Sequence, residues 1–176
     1  ADQVAEAFQR SDQDYEIVRN GSRGLFWLEP MAEVETADDR VAFGPLTPAD
    51  VPGLIERGFD HDHALCLGPV DEIPALKRQN RLTFARCGVI DPVSIDDYID
   101  HDGFNGLRNC LTMTPQDIVD GVKQSGLRGR GGAAFPTGIK WQTVLDCEAD
   151  QKYIVCNADE GDSGTFADRM IMEGDP

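Results

Sequence analysis

A basic, glycine-rich segment at residues 125–141 constrains this chain more than any other stretch. It reads Ser-Gly-Leu-Arg-Gly-Arg-Gly-Gly-Ala-Ala-Phe-Pro-Thr-Gly-Ile-Lys-Trp. Glycine has no Cβ, so its backbone N–H can approach a ligand closely and its φ can be positive. Because the whole chain carries a net charge of -16, a positive turn within it indicates an anionic ligand, such as a phosphate-bearing nucleotide or flavin.

Helix signals flank the glycine-rich segment on both sides. Thr114 is a typical N-cap residue, followed by proline at the first helical position and by Asp117 at the third. Gly126 suits the position just past the end of that helix. Thr137 predicts the cap of a second helix, whose N-terminus would point free N–H groups at a ligand. We expect the buried face of this second helix to consist of Trp141, Val144 and Leu145. The alternative is a helix–loop–helix corner whose glycines only allow tight packing.

An acidic cluster follows a short apolar run. Residues 152–156 predict a short buried strand, and groups just beyond the carboxyl end of a strand line the ligand crevice of open α/β sheets. The polar side chains at that position are Asn157, Asp159, Glu160 and Asp162. An amide can pair with both a donor and an acceptor on a heterocycle, and carboxylates accept bonds from ribose hydroxyls or ring N–H groups. The spacing does not fit an EF-hand loop, so the alternative is a solvated surface loop.

Together, the two segments resemble the FMN and NADH site of one flavoprotein family. It includes the NADH-binding flavoprotein subunit of respiratory complex I, the diaphorase subunit of NAD-reducing hydrogenases and the β subunit of NAD-dependent formate dehydrogenases. The resemblance rests on residues 126–141 and 156–169 and extends upstream to residue 76.

The resemblance assigns roles to ten residues. A backbone shelf beside the flavin ring would be formed by Gly129, Arg130, Gly131 and Gly132. Polar contacts to the flavin would come from Lys140, Asn157, Asp159 and Glu160. Phe135 would lie against the dinucleotide, and Asp162 would stand near the nicotinamide, where complex I subunits usually have glutamate. The candidate catalytic residues are therefore Glu160 and Asp162.

The first 75 residues resemble a thioredoxin-like domain that some family members carry ahead of the flavin domain. We expect strands at residues 15–19, 31–35 and 40–43, and a helix that starts with the signature at Thr47. Where cluster-binding versions have cysteines, this chain has Ser22 and, near the second position, Trp27. No iron–sulfur cluster is therefore expected here. These replacements, and Ser163 in place of a usual proline, most resemble the formate dehydrogenase branch.

The expected fold class is α/β (α+β). A thioredoxin-like domain free of cluster-ligating cysteines is expected at residues 1–75, and the first part of a Rossmann-like FMN/NADH-binding domain at residues 76–176. The resemblance implies a diaphorase subunit that passes electrons between iron–sulfur clusters and NAD through FMN, while a partner subunit oxidises formate to CO₂. The alternatives are the equivalent subunit of complex I or of an NAD-reducing hydrogenase and, for the N-terminal domain, a non-catalytic docking module.

Family members continue beyond the residue where this chain stops. We therefore expect an internal piece of a longer subunit, inactive alone, with a [4Fe–4S] cluster in the missing C-terminal part. The expected partners are a small [2Fe–2S] thioredoxin-like γ subunit and a molybdenum-containing α subunit.

Composition excludes several other classes of protein. Residues 1–75 alone hold 16 acidic and 5 basic residues, a net charge of -11, which disfavours nonspecific binding to nucleic acid and anionic membranes. No apolar run approaches the ~20 residues of a membrane span. The five cysteines are scattered without a C-x-x-C pair, so we expect no metal site in this chain and reduced, mostly buried thiols in a cytoplasmic protein.

Overall fold

The computed structural model describes residues 1–36 and 39–176, which form two compact units. The first unit consists of Ala1–Asp97 and Glu160–Pro176, and the second consists of Tyr98–Asp159. The described residues form short helices and a small antiparallel sheet. The expectation of mixed α and β structure is confirmed at this level.

A three-stranded antiparallel sheet organises the first unit. Its strands are β1 (Ala32–Glu35), β2 (Arg40–Phe43) and β3 (Cys66–Pro69), with β2 in the middle. The first two strands confirm the predictions at residues 31–35 and 40–43. The sequence analysis missed β3, because a four-residue segment that contains glycine and ends at proline has little strand character.

The central strand is buried on both faces because successive side chains of a strand alternate. Val41 and Phe43 face a cluster shared with α1 (Asp2–Gln9) and α2 (Val51–Glu56), and Ala42 faces a second cluster. The first cluster has as its buried members Val4, Val41, Phe43, Leu46, Val51 and Leu54. The second has Leu25, Ala42, Val70 and Ile73. The helix expected after Thr47 is thus confirmed as α2.

The prediction of a strand at residues 15–19 is wrong. No strand forms there, and Val18 is 45% exposed. Tyr15 packs instead against two rings, with centroid distances of 6.3 Å to Phe8 and 5.9 Å to Phe59. Residues that favour β structure form a strand only where packing and a neighbouring strand support the strand. Here Tyr15 packs in the aromatic cluster instead.

The C-terminal helix of the chain belongs to the first unit. This helix is α8 (Ala167–Gly174). Its last residue lies against Gly21, since a Cβ built on Gly21 would be 2.3 Å from the Cα of Gly174. Next to that contact, Arg86 Nε donates to the buried carboxylate of Asp175 at 2.9 Å. Backbone contact and ion pair together fix the end of α8. The unit also contains α3 (Pro74–Lys77), a 3₁₀ turn at Phe26–Leu28 and another at Val70–Glu72.

A helix pair forms the centre of the second unit. The boundary between the units falls within α4 (Ile95–Asp100), and α5 (Asn105–Cys110), α6 (Pro115–Ser125) and α7 (Thr137–Asp146) follow it. The prediction for α6 is confirmed: Thr114 and Asp117 form a reciprocal capping box, and Gly126 ends the helix with a left-handed φ of 68°.

The predicted cap and buried face of α7 are wrong. Thr137 is the first helical residue and makes no capping bond, since Pro136 occupies the cap position. Trp141 and Val144 are 47% and 56% exposed, and Leu145 is only partly buried. The helix turns a different face to α6. Gly138 packs on Lys123, and Gln142, one turn further on, accepts a hydrogen bond from Lys123 Nζ at 2.6 Å.

The prediction of a buried strand at residues 152–156 is also wrong. The segment has no assigned strand, and Tyr153, Ile154 and Val155 are between 80% and 101% exposed. A strand needs a neighbouring strand for its hydrogen bonds, and within the described residues none borders this segment. Lys152 Nζ instead donates to the carbonyl of Leu145 at 3.0 Å.

Within the described part of the chain, no helix combines the length and apolar character needed to cross a bilayer. The cysteines are unpaired, but the expectation that most are buried is wrong: only Cys87 is fully buried, and Cys147 and Cys156 are exposed. Both exposed thiols lie in the irregular segment after α7, where little packs over the chain.

Candidate functional site

The glycine-rich segment forms a closed loop at the N-terminus of α7. Arg128 and Pro136 form an isolated antiparallel bridge, in which Gly129 N–H donates to the carbonyl of Phe135 at 2.9 Å. Next to the bridge, Arg128 Nη1 donates to the carbonyl of Ala134 at 2.9 Å. The bridge holds residues 130–134 as one exposed loop.

The structure separates the glycines into two kinds. Gly126 and Gly138 serve the helices, the first as a left-handed helix end and the second where α7 meets α6. By contrast, a Cβ on Gly131 or Gly132 would meet no atom within 4 Å. Among the described residues, their N–H groups have no backbone partner, and Gly132 has a φ of 101°. Tight packing therefore explains part of the glycine pattern, while Gly131 and Gly132 leave an open stretch of backbone.

Positive charge borders this open backbone. Arg130 is an exposed member of the loop, and Lys140 lies in the first turn of α7. Lys140 Nζ stands 5.5 Å from the ring centroid of Phe135, which is within the range of a cation–π contact. The structure thus brings Phe135 and Lys140 together at the start of a helix, where the positive end of the helix dipole favours an anion. The free N–H groups expected there are largely used, since Thr137 donates to the carbonyl of Leu127 and Ile139 to that of Pro136.

Asn157 and Asp159 lie in the same unit as the loop. The Asp159 N–H donates to Asn157 Oδ1 at 3.1 Å, a local turn that leaves both side chains largely exposed. No hydrogen bond joins either side chain to residues 129–132 within the parts of the chain that the structure describes.

Glu160 and Asp162 belong to the first unit. The Glu160 carboxylate accepts hydrogen bonds from the N–H groups of Asp168 at 2.8 Å and Arg169 at 3.1 Å, at the start of α8. The Asp162 carbonyl accepts from Thr165 N–H at 3.2 Å, and its side chain is exposed. The sequence analysis missed this contact between Glu160 and α8, because no residue pattern indicates a cap eight positions away.

Ser22 and Trp27 are the residues that the resemblance sets in place of cluster-binding cysteines. Ser22 Oγ donates to the carboxylate of Glu29 at 2.6 Å and accepts from the N–H of Gly24 at 2.8 Å. Trp27 is 66% exposed on the 3₁₀ turn. In the described residues, no group of three or more His, Cys, Asp or Glu side chains has the arrangement of a metal site.

The loop suits a planar anionic cofactor such as FMN. A flavin ring needs flat backbone without Cβ atoms beside it, and the open side of Gly131 and Gly132 meets this requirement. Its phosphate needs N–H donors or cations. Arg130 and Lys140 supply positive charge, and the N–H groups of Gly131 and Gly132 have no backbone partner among the described residues. The residues present therefore fit the group that the sequence motif implies.

Comparison with known proteins gives an independent result. Residues 122–176 match the family model described as the Nuo51 FMN-binding domain. The chain is 63% identical over 100 residues to the NADP-reducing hydrogenase subunit HndC of Solidesulfovibrio fructosivorans, a match that covers 57% of this chain and 20% of that protein.

Two further relatives come from other assemblies. A subunit of the NADH-quinone oxidoreductase of Aquifex aeolicus is 49% identical over 83 residues, which is 47% of this chain and 19% of the relative. The NAD-reducing hydrogenase HoxS subunit alpha of Cupriavidus necator is 49% identical over 70 residues, 40% of this chain and 12% of that protein. The chain thus spans no more than about a fifth of the length of these curated relatives.

The resemblance predicted from the two motifs is confirmed: the chain matches the FMN- and NAD-binding flavoprotein family of complex I and the hydrogenase diaphorases.

Proposed function

We propose that this chain is part of a diaphorase subunit, an oxidoreductase component that exchanges electrons between NAD and iron–sulfur clusters through FMN. The observation that carries the proposal is the open backbone at Gly131 and Gly132, which lies inside the segment that matches an FMN-binding domain. Bound FMN supplies the conversion between two-electron and one-electron transfer, and the protein binds and orients the ring.

The proposed contacts follow the resemblance and the geometry of the loop. Gly129, Arg130, Gly131 and Gly132 would form the shelf beside the ring, and the start of α7 with Lys140 would neutralise negative charge. Phe135 would lie against the dinucleotide. Asn157 and Asp159 would pair with polar edges of the flavin, and Asp162 would stand near the nicotinamide.

The finer proposal is the β subunit of a cytoplasmic NAD-dependent formate dehydrogenase. Ser22, Trp27 and Ser163 support this branch, since they replace residues that cluster-binding or complex I relatives usually carry. Its partners would be a [2Fe–2S] γ subunit and a molybdenum-containing α subunit that oxidises formate. We also propose a thioredoxin-like domain at residues 1–75 and a Rossmann-like domain that begins at residue 76.

A hydrogenase diaphorase is the second candidate, because the 63% identical relative is named as a hydrogenase subunit that reduces NADP. The two are separated by isolating the native complex through a tag on this subunit and supplying formate or H₂ with NAD⁺ or NADP⁺. Formate-dependent reduction of NAD⁺, with molybdenum in the complex, is the expected result. Reduction by H₂ alone would assign the hydrogenase branch.

A further inference from the structure

One arginine contacts the glycine-rich loop with its side chain as well as with its backbone. The backbone of Arg128 pairs with Pro136, and the side chain reaches back into the loop, where Nη1 donates to the carbonyl oxygen of Ala134 at 2.9 Å. Hydrogen bonds from a charged guanidinium are stronger than those between neutral groups. The side chain therefore adds a third contact to the two backbone bonds that flank the bridge.

The bonded oxygen belongs to the peptide group that joins Ala134 to Phe135. A peptide group is planar, so a bond to its oxygen also orients the N–H of Phe135. The peptide group on the other side of Phe135 is held as well, because its carbonyl accepts from Gly129 N–H at 2.9 Å. With both flanking peptide groups held, the direction in which the Phe135 side chain leaves the backbone is set by Arg128 and Gly129.

The conformation of Ala134 shows that this part of the loop needs such support. Its φ is 50°, a left-handed value that residues with a Cβ rarely adopt. Strained conformations of this kind persist only where neighbouring contacts determine them, and they occur most often at functional sites. Ala134 is exposed, so packing in a core does not hold it there. The bond from Arg128 ends on Ala134 itself and supplies a local contact of the required kind.

The residue that follows presents an open aromatic surface. The Phe135 ring is 45% exposed, and Lys140 Nζ lies 5.5 Å from its centroid. A half-exposed ring beside a cation suits a flat ligand that also carries negative charge, as a nucleotide does. Because the ring is not enclosed by a core, its placement depends on the backbone that carries it.

We propose that Arg128 is a positioning residue for nucleotide binding. Its guanidinium holds the peptide group before Phe135 and thereby keeps the ring where the dinucleotide stacks. The structural half of this inference stands on the hydrogen bonds and the left-handed Ala134. The functional half, that the ring so placed contacts NADH, rests on the proposed function.

Amide hydrogen exchange in the full-length subunit tests the structural half. The N–H of Gly129 reports on the bond to Phe135, and Arg128→Ala is expected to raise its exchange rate about fivefold, the effect of losing one supporting hydrogen bond. Arg10→Ala is the control, since it removes another exposed arginine whose partner, Glu6, lies on α1. This control is expected to leave the exchange of Gly129 unchanged.

Steady-state kinetics of the same proteins, with NADH and ferricyanide as electron acceptor, tests the functional half. Arg128→Ala is expected to raise KM for NADH about fivefold, with little change in kcat or in FMN content, because the lost contact binds substrate and transition state alike. A double-mutant cycle with Phe135→Ala separates positioning from direct contact. If Arg128 acts through the ring, Arg128→Ala is expected to have no further effect on KM once Phe135 is alanine.

Three results would overturn the inference. Unchanged exchange of Gly129 in Arg128→Ala would show that the side chain does not hold the loop. Faster exchange with an unchanged KM would rule out a role in nucleotide binding. Additive effects in the double variant would show that Arg128 acts independently of the ring, as a direct contact to the ligand. If the wild type binds no NADH, the proposed function fails and the role in binding fails with it, while the exchange of Gly129 still decides the contact.

Discussion

A Cβ atom built on Gly138 would lie 2.6 Å from Cγ of Lys123 and 2.9 Å from its Cα, so α6 and α7 meet at a position that only glycine fills. Gly138→Ala must push the helices apart or distort one of them. We expect a loss of about 1–3 kcal/mol in the free energy of unfolding, as for other overpacked sites.

The matched control for this change is Gly121→Ala in α6, where an added Cβ meets no atom within 4 Å. That variant is expected to stabilise the protein by up to about 1 kcal/mol, because alanine favours the helix. Urea unfolding of both variants measures the difference. Equal effects of the two substitutions would contradict the close approach of α6 and α7.

In the second unit, the predictions are correct for features that depend only on residues close together in sequence. The cap at Thr114 and the left-handed Gly126 need only neighbouring residues, and both are confirmed. The face of α7 depends on what the helix packs against. Trp141 is more apolar than Gly138, but the contact with α6 forms at the glycine because close approach of two backbones outweighs side-chain hydropathy there.

The same distinction applies to the candidate site. The resemblance implied exposed backbone at Gly131 and Gly132, but the bridge between Arg128 and Pro136 that closes the loop was not predicted. The cap that Glu160 provides to α8 could not be predicted either, since it depends on how a loop folds back over eight residues. The strand predicted at residues 152–156 does not form, because composition alone favours a strand there but a strand also needs a neighbouring strand for its hydrogen bonds.

A buried ion pair in the first unit gives a second prediction. Arg23 donates from Nε and Nη2 to the two carboxylate oxygens of Glu33 at 2.6 and 2.8 Å, and the side chains are only 9% and 13% exposed. Among the described residues, Arg23→Met leaves Glu33 with Arg40 as its cationic partner, 3.7 Å away, so we expect a loss of about 3 kcal/mol in the free energy of unfolding.

The double variant Arg23→Met/Glu33→Leu removes both charges and provides the comparison. It is expected to be clearly more stable than Arg23→Met, because no unpaired carboxylate remains buried. A double variant as unstable as the single one would show that packing of the arginine stem, and not the charge pair, dominates.

Thiol chemistry supplies a third prediction. Burial raises the pKa of the Cys87 thiol, and the nearby Asp175 carboxylate raises it further. At pH 8 Cys87 therefore carries little thiolate and is also shielded from reagents, whereas Cys147 and Cys156 are exposed. We expect a disulfide reagent to label the two exposed cysteines rapidly and Cys87 only after unfolding, with peptide mass spectrometry as the measurement. The Cys87 Sγ lies 3.7 Å from the carbonyl oxygen of Met170 in α8, and rapid labelling of Cys87 in the folded protein would contradict this packing.

A fourth prediction concerns charge near the bound nucleotide. In the proposed site Asp162 stands near the nicotinamide ring, which is positive in NAD⁺ and neutral in NADH, so its carboxylate should favour NAD⁺ over NADH. Asp162→Asn in the full-length subunit is expected to tighten NADH relative to NAD⁺ several-fold, without change in FMN content. The dissociation constants of both nucleotides measure this. Equal shifts of the two constants, or loss of FMN, would show that Asp162 does not discriminate by charge.

The central claim is that the open backbone at Gly131 and Gly132 binds the flavin. Gly131→Val adds a branched side chain where no protein atom lies within 4 Å, so the protein itself should accommodate it. The direct measurement is the visible absorbance spectrum of the full-length wild-type and Gly131→Val proteins, before and after anaerobic addition of NADH. The account predicts a flavin spectrum that NADH bleaches in the wild type, and a folded variant without FMN. A wild type without flavin, or a variant that retains FMN like the wild type, would contradict it.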